Sequence, residues 1–224
     1  MKRILITGAN RGLGLELARQ YQAADWEVIA TCRQPDQAND LRALGLTPLA
    51  LDIADDASIT ALANEVQDMP LDVVFNNAGM FGPRGLPVGK LEAETWLEVL
   101  RVNTIAPMLV TQALLENVAT SQDKFIVFMS SNLGSIARSS GGEYIYRSSK
   151  AALNMSAATL AKDLAPRGIR VVAMSPGWVR TDMGGDSAPL SVEDSVYGIK
   201  TVLDNLGEQQ TGVFLNHDGT ELPW

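Results

Sequence analysis

Tyr146 and Lys150 are the side chains whose types and spacing point most directly to chemistry. They lie four residues apart in the stretch YIYRSSKAAL, residues 144–153. On a helix this spacing places both side chains on one face, about one turn apart. A nearby ammonium group favours the phenolate, so Lys150 is expected to lower the pKa of Tyr146 from its ordinary value of about 10. A surface lysine that extends past a half-buried tyrosine is the alternative that the spacing leaves open.

Composition limits the classes of partner. The 224 residues are 46% hydrophobic and 20% charged, and the formal net charge is −8. This length suits one domain with a filled core. The acidic balance argues against a nucleic-acid partner, because proteins that bind phosphate backbones carry a basic surface. No stretch approaches the ~18 apolar residues of a membrane span. We therefore expect a cytoplasmic protein that binds neither nucleic acid nor membrane.

Cysteine and histidine each occur once, as Cys32 and His217. A single cysteine excludes an intrachain disulfide and a thiolate zinc site. A Ser–His–Asp triad would have to be built around His217, which lies in the polar tail segment NHDGTELPW and is expected in a loop. The sequence therefore predicts no metal site, and its chemistry must come from other residue types.

Short apolar runs alternate with longer helical patterns along the chain. Strands are expected at residues 3–7, 27–31, 47–51, 72–76, 125–129, 170–174 and 212–215. Helices are expected at residues 12–23, 36–44, 56–66, 93–119, 143–165 and 192–206. Pro107 is expected to kink the fourth helix. The alternation predicts a single-domain, doubly wound Rossmann fold, an α/β fold whose parallel sheet of about seven strands carries helices on both faces.

A glycine-rich turn follows the first predicted strand. In TGANRGLG, Gly8, Gly12 and Gly14 lead from that strand into the first helix. Backbone amides and a helix N-terminus on such a turn can face a pyrophosphate, and ligands of doubly wound sheets bind beyond the carboxyl ends of the strands. The spacing differs from the usual G-x-G-x-x-G fingerprint, so a simple glycine turn remains the alternative.

The end of the second strand bears on the choice of cofactor. NAD-binding proteins usually hold the ribose 2′-hydroxyl with an acidic residue at this point. Here Asp36 comes a few residues late, beyond Pro35. Arg33 and Arg11 would instead flank a 2′-phosphate, which indicates NADP(H) as the preferred cofactor and NAD(H) as the other candidate. Two exposed surface arginines are the alternative.

Small polar residues also follow the third to sixth predicted strands. Asp52 follows the third, where it could read an adenine amino group or cap the next helix. NNAG ends the fourth strand at residues 76–79, MSSNLGS ends the fifth at 129–135, and SPGWVRTDM ends the sixth at 175–183. Parallel strands bring these ends to one edge of the sheet, which is the predicted site.

Together these motifs resemble the short-chain dehydrogenase/reductase family in its classical form, nearly from end to end. TGANRGLG is similar to the family's cofactor turn, NNAG to its adenine-side support, YRSSK to its Tyr-x-x-x-Lys and SPGWVRT to its nicotinamide-side loop. YRSSKAALN, PGWVRTDMGG and DGTELPW further resemble the C-factor and sniffer-type carbonyl reductase branch. The resemblance implies an oxidoreductase that transfers hydride between a nicotinamide and a carbonyl or alcohol substrate. Its C-factor side implies an alternative, a cofactor-binding signalling or regulatory protein with little turnover.

The resemblance also implies a catalytic tetrad of Asn103, Ser131, Tyr146 and Lys150. Tyr146 would be the general acid/base and Ser131 would hold the substrate oxygen. Lys150 would tune Tyr146 and hydrogen-bond the ribose. Asn103, in RVNTIAP, would position a water that connects Lys150 to solvent, although a helix residue that satisfies a backbone group is its alternative.

One departure from the family concerns the serine-to-tyrosine spacing. Ser131 and Tyr146 are separated by two residues more than is usual in the family. Tyr144 would restore the usual spacing, but its lysine position is then Ser148. The assignment of Tyr146 is therefore kept, with two extra loop residues in RSSGGEY, and Ser130 is the alternative catalytic serine.

The implied cofactor-binding residues are spread over the strand ends. They are Gly8, Asn10, Arg11, Gly12, Leu13, Gly14, Arg33, Asp52, Ile53, Asn77, Ala78, Gly79, Tyr146, Lys150, Pro176, Gly177, Val179 and Thr181. The glycines would hold the pyrophosphate, and Thr181 would hold the carboxamide. Residues 183–192 would form a small substrate lid, with Met80, Phe81, Leu133 and Trp178 near the mouth. The outer faces of the long fourth and fifth helices would pair in a homodimer or homotetramer.

Overall fold

Seven parallel strands form one sheet in the computed structural model, which describes residues 1–207 and 209–224. The strand order is β3-β2-β1-β4-β5-β6-β7. The strands are β1 (Arg3–Ile6), β2 (Glu27–Cys32), β3 (Leu49–Ala50), β4 (Val73–Asn76), β5 (Phe125–Met129), β6 (Arg170–Ser175) and β7 (Val213–Asn216). The order reverses between β1 and β4, and this reversal opens a crevice beyond their carboxyl ends. The predicted doubly wound fold is confirmed.

Helices lie on both faces of the sheet. They are α1 (Gly12–Ala23), α2 (Asn39–Ala43), α3 (Asp56–Glu65), α4 (Ala93–Leu100), α5 (Ala106–Ala113), α6 (Leu115–Ala119), α7 (Tyr144–Leu164) and α8 (Val192–Asp204). Val74 of β4 packs in the hydrophobic cluster that includes Leu153 of α7. The next residue, Phe75, packs in the opposite cluster with Leu17 of α1 and Ile199 of α8. Successive residues of each strand therefore serve two cores, which explains the nearly continuous apolar runs.

The fourth predicted helix is broken, and Pro107 explains where. A π-helical segment, Arg101–Ile105, separates α4 from α5. Proline has no N–H, so Pro107 cannot donate the α-helical hydrogen bond to the carbonyl of Asn103, and its ring crowds that carbonyl. The helix is interrupted as predicted, but by a π-helical segment that precedes the proline. Asn103 lies inside the distorted segment, and such π-bulges are frequent at functional sites.

Other differences from the predicted elements are small. The second helix, expected at 36–44, divides into a 3-10 turn, Pro35–Gln37, and α2. The third strand is shorter than expected, with only Leu49–Ala50 paired to β2. The fourth predicted helix is interrupted again at Leu114, between α5 and α6. The remaining boundaries differ by one or two residues, as fraying ends usually do.

No helix among the described residues is long and apolar enough to cross a membrane. The described residues also contain no group of three or more His, Cys, Asp or Glu side chains that could hold a metal ion.

Candidate active site

The turn after β1 is a close-packed cradle. Gly8 and Gly12 adopt positive φ angles of +65° and +53°, which side chains other than glycine rarely adopt. A Cβ on Gly14 would lie 2.3 Å from the carbonyl oxygen of Gly8 and 2.6 Å from Nδ2 of Asn77. Only glycine at residue 14 therefore lets α1 rest directly on the turn, with its N-terminal amides toward the crevice.

Asn77 supports this turn from the end of β4. Its Nδ2 donates hydrogen bonds to the carbonyls of Thr7 and Gly8 at 3.0 and 3.1 Å. In return, the hydroxyl of Thr7 accepts hydrogen bonds from the backbone N–H groups of Asn77 and Ala78, both at 3.0 Å. The side chain of Asn77 is therefore committed to the two strand ends, and Ala78 packs against Gly8.

The surroundings of the turn fit a phosphorylated ligand. Asn10, Arg11 and Gly12 are exposed, and Leu13 is half-buried at the start of α1. Arg11 pairs with Asp182 at 2.9 Å, and both side chains are exposed. Arg33 is exposed at the end of β2 and forms no ion pair with the described residues. A glycine cradle with a helix N-terminus and two arginines nearby is the donor set that a pyrophosphate and a further phosphate require.

Asp52 lies in a turn after β3. One carboxylate oxygen accepts from the N–H of Ala54 at 3.0 Å, and the backbone N–H of Asp52 donates to Ser58 at 2.9 Å. The alternative role of Asp52 as the cap of the next helix is wrong, because Asp55 caps α3 by accepting from Ala57. Ile53, beside Asp52, is 8% exposed.

Lys150 and Tyr146 lie on one face of α7, buried near the carboxyl end of β5. Nζ of Lys150 donates to the backbone carbonyl of Met129 at 2.8 Å and lies 5.9 Å from the centroid of the Tyr146 ring. Their exposed fractions are 4% and 7%. A Cβ on Gly79 would lie 3.6 Å from that Nζ, and one on Gly134 would strike Cβ of Lys150 at 2.8 Å. The alternative of a surface lysine beside a half-buried tyrosine is wrong.

The pKa values of this pair differ from the sequence expectation. Burial raises the pKa of Tyr146 to about 12, although a hydrogen bond with Ser131 and the positive charge of Arg84 act to lower it. Burial lowers the pKa of Lys150 to about 8. The expectation that Lys150 lowers the pKa of Tyr146 was wrong for the chain itself, because desolvation penalises both charged forms more than the spacing suggested.

The two candidate serines have different partners. Ser131 is half-buried at the end of β5, its hydroxyl accepts from the backbone N–H of Leu133 at 3.2 Å, and it is near enough to Tyr146 to act on the pKa of that phenol. The hydroxyl of Ser130 is buried and donates to Oδ1 of Asn154 at 2.5 Å. Ser131 is therefore the serine that can face a substrate oxygen beside Tyr146.

Asn103 is completely buried and holds the backbone after NNAG. Its Oδ1 accepts from the N–H of Met80 at 2.9 Å, and its Nδ2 donates to the Met80 carbonyl at 2.7 Å and to Ser149 at 3.0 Å. A Cβ on Gly79 would lie 3.1 Å from that Oδ1. The side chain thus has the backbone-satisfying role that sequence reasoning kept as an alternative. A route to water would have to use the Asn103 backbone carbonyl.

The loop after β6 approaches the glycine turn from the opposite side. The carbonyl of Pro176 accepts from Ser195 at 2.7 Å, and Gly177 turns the chain with a φ of +81°. Thr181 accepts from the N–H of Gly184 at 3.0 Å. A Cβ on Gly12 would meet the Thr181 methyl at 3.7 Å. Thr181 therefore lies next to the glycine turn.

A short parallel bridge between Val179 and Leu190 closes the loop expected to be a lid. Arg180 donates from its backbone to Leu190 at 2.9 Å. Within the loop, the indole of Trp178 donates to the carbonyl of Gly184 at 2.9 Å. The segment is thus held at both ends before α8 begins.

Comparison with known proteins assigns the family. The sequence profile of the short chain dehydrogenases matches residues 2–189. The chain belongs to the short-chain dehydrogenase family. It is 39% identical to the C-signal of Myxococcus xanthus over 165 residues, which are 73% of this chain and 99% of that protein.

Solved structures give the same assignment for this short-chain dehydrogenase. The carbonyl reductase Sniffer of D. melanogaster superimposes with a TM-score of 0.93 at 37% identity, over the full length of both chains. The NADPH-bound carbonyl reductase from chicken fatty liver superimposes with a TM-score of 0.93 at 34% identity, over 100% of this chain and 99% of that one. The resemblance drawn from the motifs is confirmed.

Phe81 and Arg84, in the loop that follows NNAG, lie close to Tyr146 in a stack of side chains. The ring of Phe81 stacks on Tyr146, with centroids 4.3 Å apart and planes inclined by 15°. The Arg84 guanidinium lies 3.9 Å from the Phe81 centroid and donates a hydrogen bond to the carbonyl of Met183. Sequence reasoning placed Phe81 near the mouth but missed Arg84. The available signal for Arg84 was its positive charge shortly after the NNAG motif.

Large apolar side chains from three segments lie exposed after β5 and β6. Ile136 is 74% exposed, Trp178 55%, Tyr144 40% and Met183 39%. We call these four side chains the apolar rim. Tyr144, the alternative catalytic tyrosine, is one of them and is exposed, whereas Tyr146 is buried. An apolar mouth that opens on buried polar groups is the usual form of a small-molecule site.

Proposed function

We propose that this short-chain dehydrogenase is an NADP(H)-dependent oxidoreductase that transfers hydride between the nicotinamide and a carbonyl or alcohol substrate. The observation that carries the proposal is the placement of the buried Tyr146 between the Ser131 hydroxyl, which acts on its pKa, and a lysine anchored on the Met129 carbonyl. This group adjoins the crevice that also contains the glycine turn. Carbonyl reduction needs a proton donor beside a hydride source, and this geometry provides a place for both.

The residues around the crevice would hold the cofactor as follows. Gly8, Gly12 and Gly14 would receive the pyrophosphate, and Thr181 would contact the carboxamide. Arg33 would bind the 2′-phosphate, because it is exposed at the end of β2 without an ion-pair partner among the described residues. The NADPH-bound carbonyl reductase of similar structure supports this preference over NAD(H). The bound cofactor would supply or accept the hydride.

Tyr146 would supply the proton. With a pKa of about 12 its hydroxyl is neutral near pH 7, so it can donate to a carbonyl oxygen that gains negative charge. The hydroxyl of Ser131 would donate a second hydrogen bond to the same oxygen. Removal of one such donor costs ~2.7–4 kcal/mol in other enzymes.

Lys150 would restore the proton after each turnover. Its pKa of about 8 lies near working pH, so it can take up and release a proton there. The backbone carbonyl of Asn103 lacks its α-helical donor because of Pro107, and we propose that it accepts from a water that leads to Lys150. Tyr146, Ser131, Lys150 and Asn103 would then act as one proton relay.

A regulatory function is the second candidate, and the similarity to the C-signal favours it. Turnover separates the two. The purified chain would be mixed with NADPH and a panel of aromatic and aliphatic aldehydes and ketones, and cofactor oxidation would be followed by absorbance. We expect consumption with part of the panel. Tight NADPH binding with no consumption of any carbonyl would support the regulatory function instead.

Assembly and location are further parts of the proposal. Leu97 of α4 and Met155 of α7 are 58% and 68% exposed, and pairing of such helix faces in a homodimer or homotetramer would bury them. Analytical ultracentrifugation measures the assembly, and a monomer at micromolar concentration would contradict it. The cytoplasmic location stays a prediction that cell fractionation tests.

A further inference from the structure

Arg84 places a positive charge one aromatic ring away from Tyr146. Phe81 stacks on Tyr146 at 4.3 Å, and the Arg84 guanidinium lies 3.9 Å from the Phe81 centroid. Tyr146 already covers one face of Phe81, so the guanidinium must cover the other. The three side chains form a stack that runs from the proton donor to the edge of the site.

Two hydrogen bonds hold the loop that carries Phe81 and Arg84 against neighbouring segments. The Arg84 guanidinium donates to the carbonyl of Met183 in the proposed lid. The next backbone N–H, that of Gly85, donates to a carboxylate oxygen of Glu143 at the start of α7 at 3.2 Å. A guanidinium carries five N–H donors in a rigid plane, so donors remain for a ligand while the group stays oriented.

The charge of Arg84 is not neutralised by the protein. Acidic residues outnumber basic ones by 26 to 18 in this chain, and Arg11, Arg101 and Arg167 each pair with a carboxylate. Among the described residues no carboxylate lies within 4 Å of a nitrogen of Arg84. Two acids on the neighbouring segments have other partners, since Asp182 binds Arg11 and Glu143 accepts from the backbone N–H of Gly85.

We propose that Arg84 determines substrate specificity by binding an anionic group, such as a carboxylate, on the carbonyl substrate. This inference rests on the proposed function. The apolar rim would cover the body of the substrate, and the carboxylate would lie about one aromatic ring from the reacting carbonyl. A planar guanidinium matches a carboxylate with two parallel hydrogen bonds.

The reaction itself leaves the carboxylate unchanged. The carbonyl carbon receives the hydride of NADPH, its C=O π bond breaks, and the oxygen takes the proton of Tyr146. The products are the alcohol and the oxidised cofactor. Arg84 thus acts on the affinity for the substrate anion and takes no part in the bond changes.

Two aldehydes test the inference: 4-carboxybenzaldehyde and its neutral ester, methyl 4-formylbenzoate. The ratio of their kcat/KM values is measured in the unaltered protein and in Arg84→Gln, which can still donate to Met183. Intrinsic reactivity cancels when the two ratios are compared. We expect the preference for the carboxylate to fall about tenfold, as for the loss of one charge-assisted hydrogen bond. Arg167→Ala removes an equal charge far from the site and should leave the ratio unchanged.

An unchanged ratio in Arg84→Gln, with the ester reduced normally by the unaltered protein, would overturn the inference and leave the proposed function standing. If the unaltered protein reduces neither these two aldehydes nor any other carbonyl of the panel, the proposed function fails. Calorimetric binding of 4-(hydroxymethyl)benzoate to the protein with NADP⁺ then decides the inference separately. About tenfold weaker binding in Arg84→Gln supports it, and equal binding in the two proteins overturns it.

Discussion

Charged groups have different surroundings at the two edges of the sheet, the amino edge where the strands begin and the carboxyl edge where they end. At the amino edge, Asp72 is 6% exposed and accepts hydrogen bonds from the backbone N–H groups of Arg3, Gln122 and Asp123. Lys2 pairs with Asp123 at 2.7 Å. A cleft of about 280 Å³ opens at this edge, yet the charges of Lys2 and Asp123 in its lining are paired with each other.

At the carboxyl edge, ionisable groups are either buried in surroundings that oppose their charged forms or lack an oppositely charged partner. Burial shifts the pKa of Tyr146 upward and that of Lys150 downward, so each is held in surroundings that oppose its charged form. Arg33 and Arg84 have no carboxylate partner among the described residues. The comparison indicates that the amino edge stabilises the fold, whereas the carboxyl edge gives up stability for binding and proton transfer.

Tyr146→Phe should produce the largest loss of activity. It removes the proton donor but keeps the ring that stacks on Phe81, so we expect carbonyl reduction to fall at least about 10²-fold. NADPH affinity, measured by fluorescence titration, should change little. Turnover equal to that of the unaltered protein would remove Tyr146 from the mechanism.

Lys150→Met should separate activity from stability. Carbonyl reduction should fall by a similar factor, while the free energy of unfolding at pH 7 rises by about 1–3 kcal/mol, because a buried group with a lowered pKa is replaced by an apolar one. Urea unfolding measures this difference. A loss of stability at pH 7 would contradict the contrast between the edges.

The same variant gives a pH dependence with a definite sign. The pKa of Lys150 is about 8 in the folded protein, against an ordinary value of 10.5. Between these values the unfolded chain binds more protons, so this group makes the unaltered protein more stable as pH rises. The advantage of Lys150→Met should therefore shrink from pH 8 upward and be gone near pH 10.5. A constant advantage from pH 7 to 10 would show that the lysine is not desolvated.

Asp72→Ala at the amino edge should lower stability without changing activity, the reverse of what is expected for Lys150→Met. Three backbone N–H groups would lose their acceptor, and we expect the free energy of unfolding to fall by about 2–4 kcal/mol. The kcat of the folded fraction should stay unchanged. Asp72→Asn, which keeps one oxygen acceptor, should lose less. A selective fall in kcat without loss of stability would mean that this edge takes part in function.

Arg33→Asp should have the smallest effect on the rate and a clear effect on cofactor choice. The substitution removes the proposed phosphate partner and supplies a carboxylate for a free 2′-hydroxyl. The ratio of kcat/KM for NADPH to that for NADH should fall about tenfold or more, as for the loss of a charge-assisted hydrogen bond. Arg167→Asp, a charge reversal at an exposed arginine that pairs with Glu116 away from the end of β2, is the control. Equal ratios in Arg33→Asp and the unaltered protein would exclude Arg33 from phosphate binding.

The fold could be predicted because parallel strands leave a local signature. Phe125–Met129 is buried at every position, so its apolar run marked it as a two-sided strand, and β5 has the predicted bounds. The helix pattern likewise fixed the bounds of α1. The bounds of a strand or helix could be predicted because they depend mainly on residues that are close in the sequence.

The site was less predictable because its energetics depend on distant contacts. The four-residue spacing showed that Tyr146 and Lys150 share a face, but not that burial would dominate both pKa values. Arg84 joins the site through its contact with Phe81, which stacks on Tyr146 of α7, and through its hydrogen bond to the Met183 carbonyl. Pro107 predicts that the helix is distorted. A proline alone does not decide between a kinked α-helix and a π-helical segment, so the form of the distortion could not be predicted.

The close packing at Gly14 has a consequence for the rate of nucleotide binding. Helix α1 rests on the glycine turn, and the amide of Asn77 is hydrogen-bonded to the carbonyls of Thr7 and Gly8, so contacts within the chain hold the turn where we propose that the pyrophosphate binds. A rigid, preformed surface loses little entropy on association. NADPH capture should therefore follow a single bimolecular phase in stopped-flow experiments, with a rate that rises linearly with nucleotide concentration and shows no plateau from a slow isomerisation.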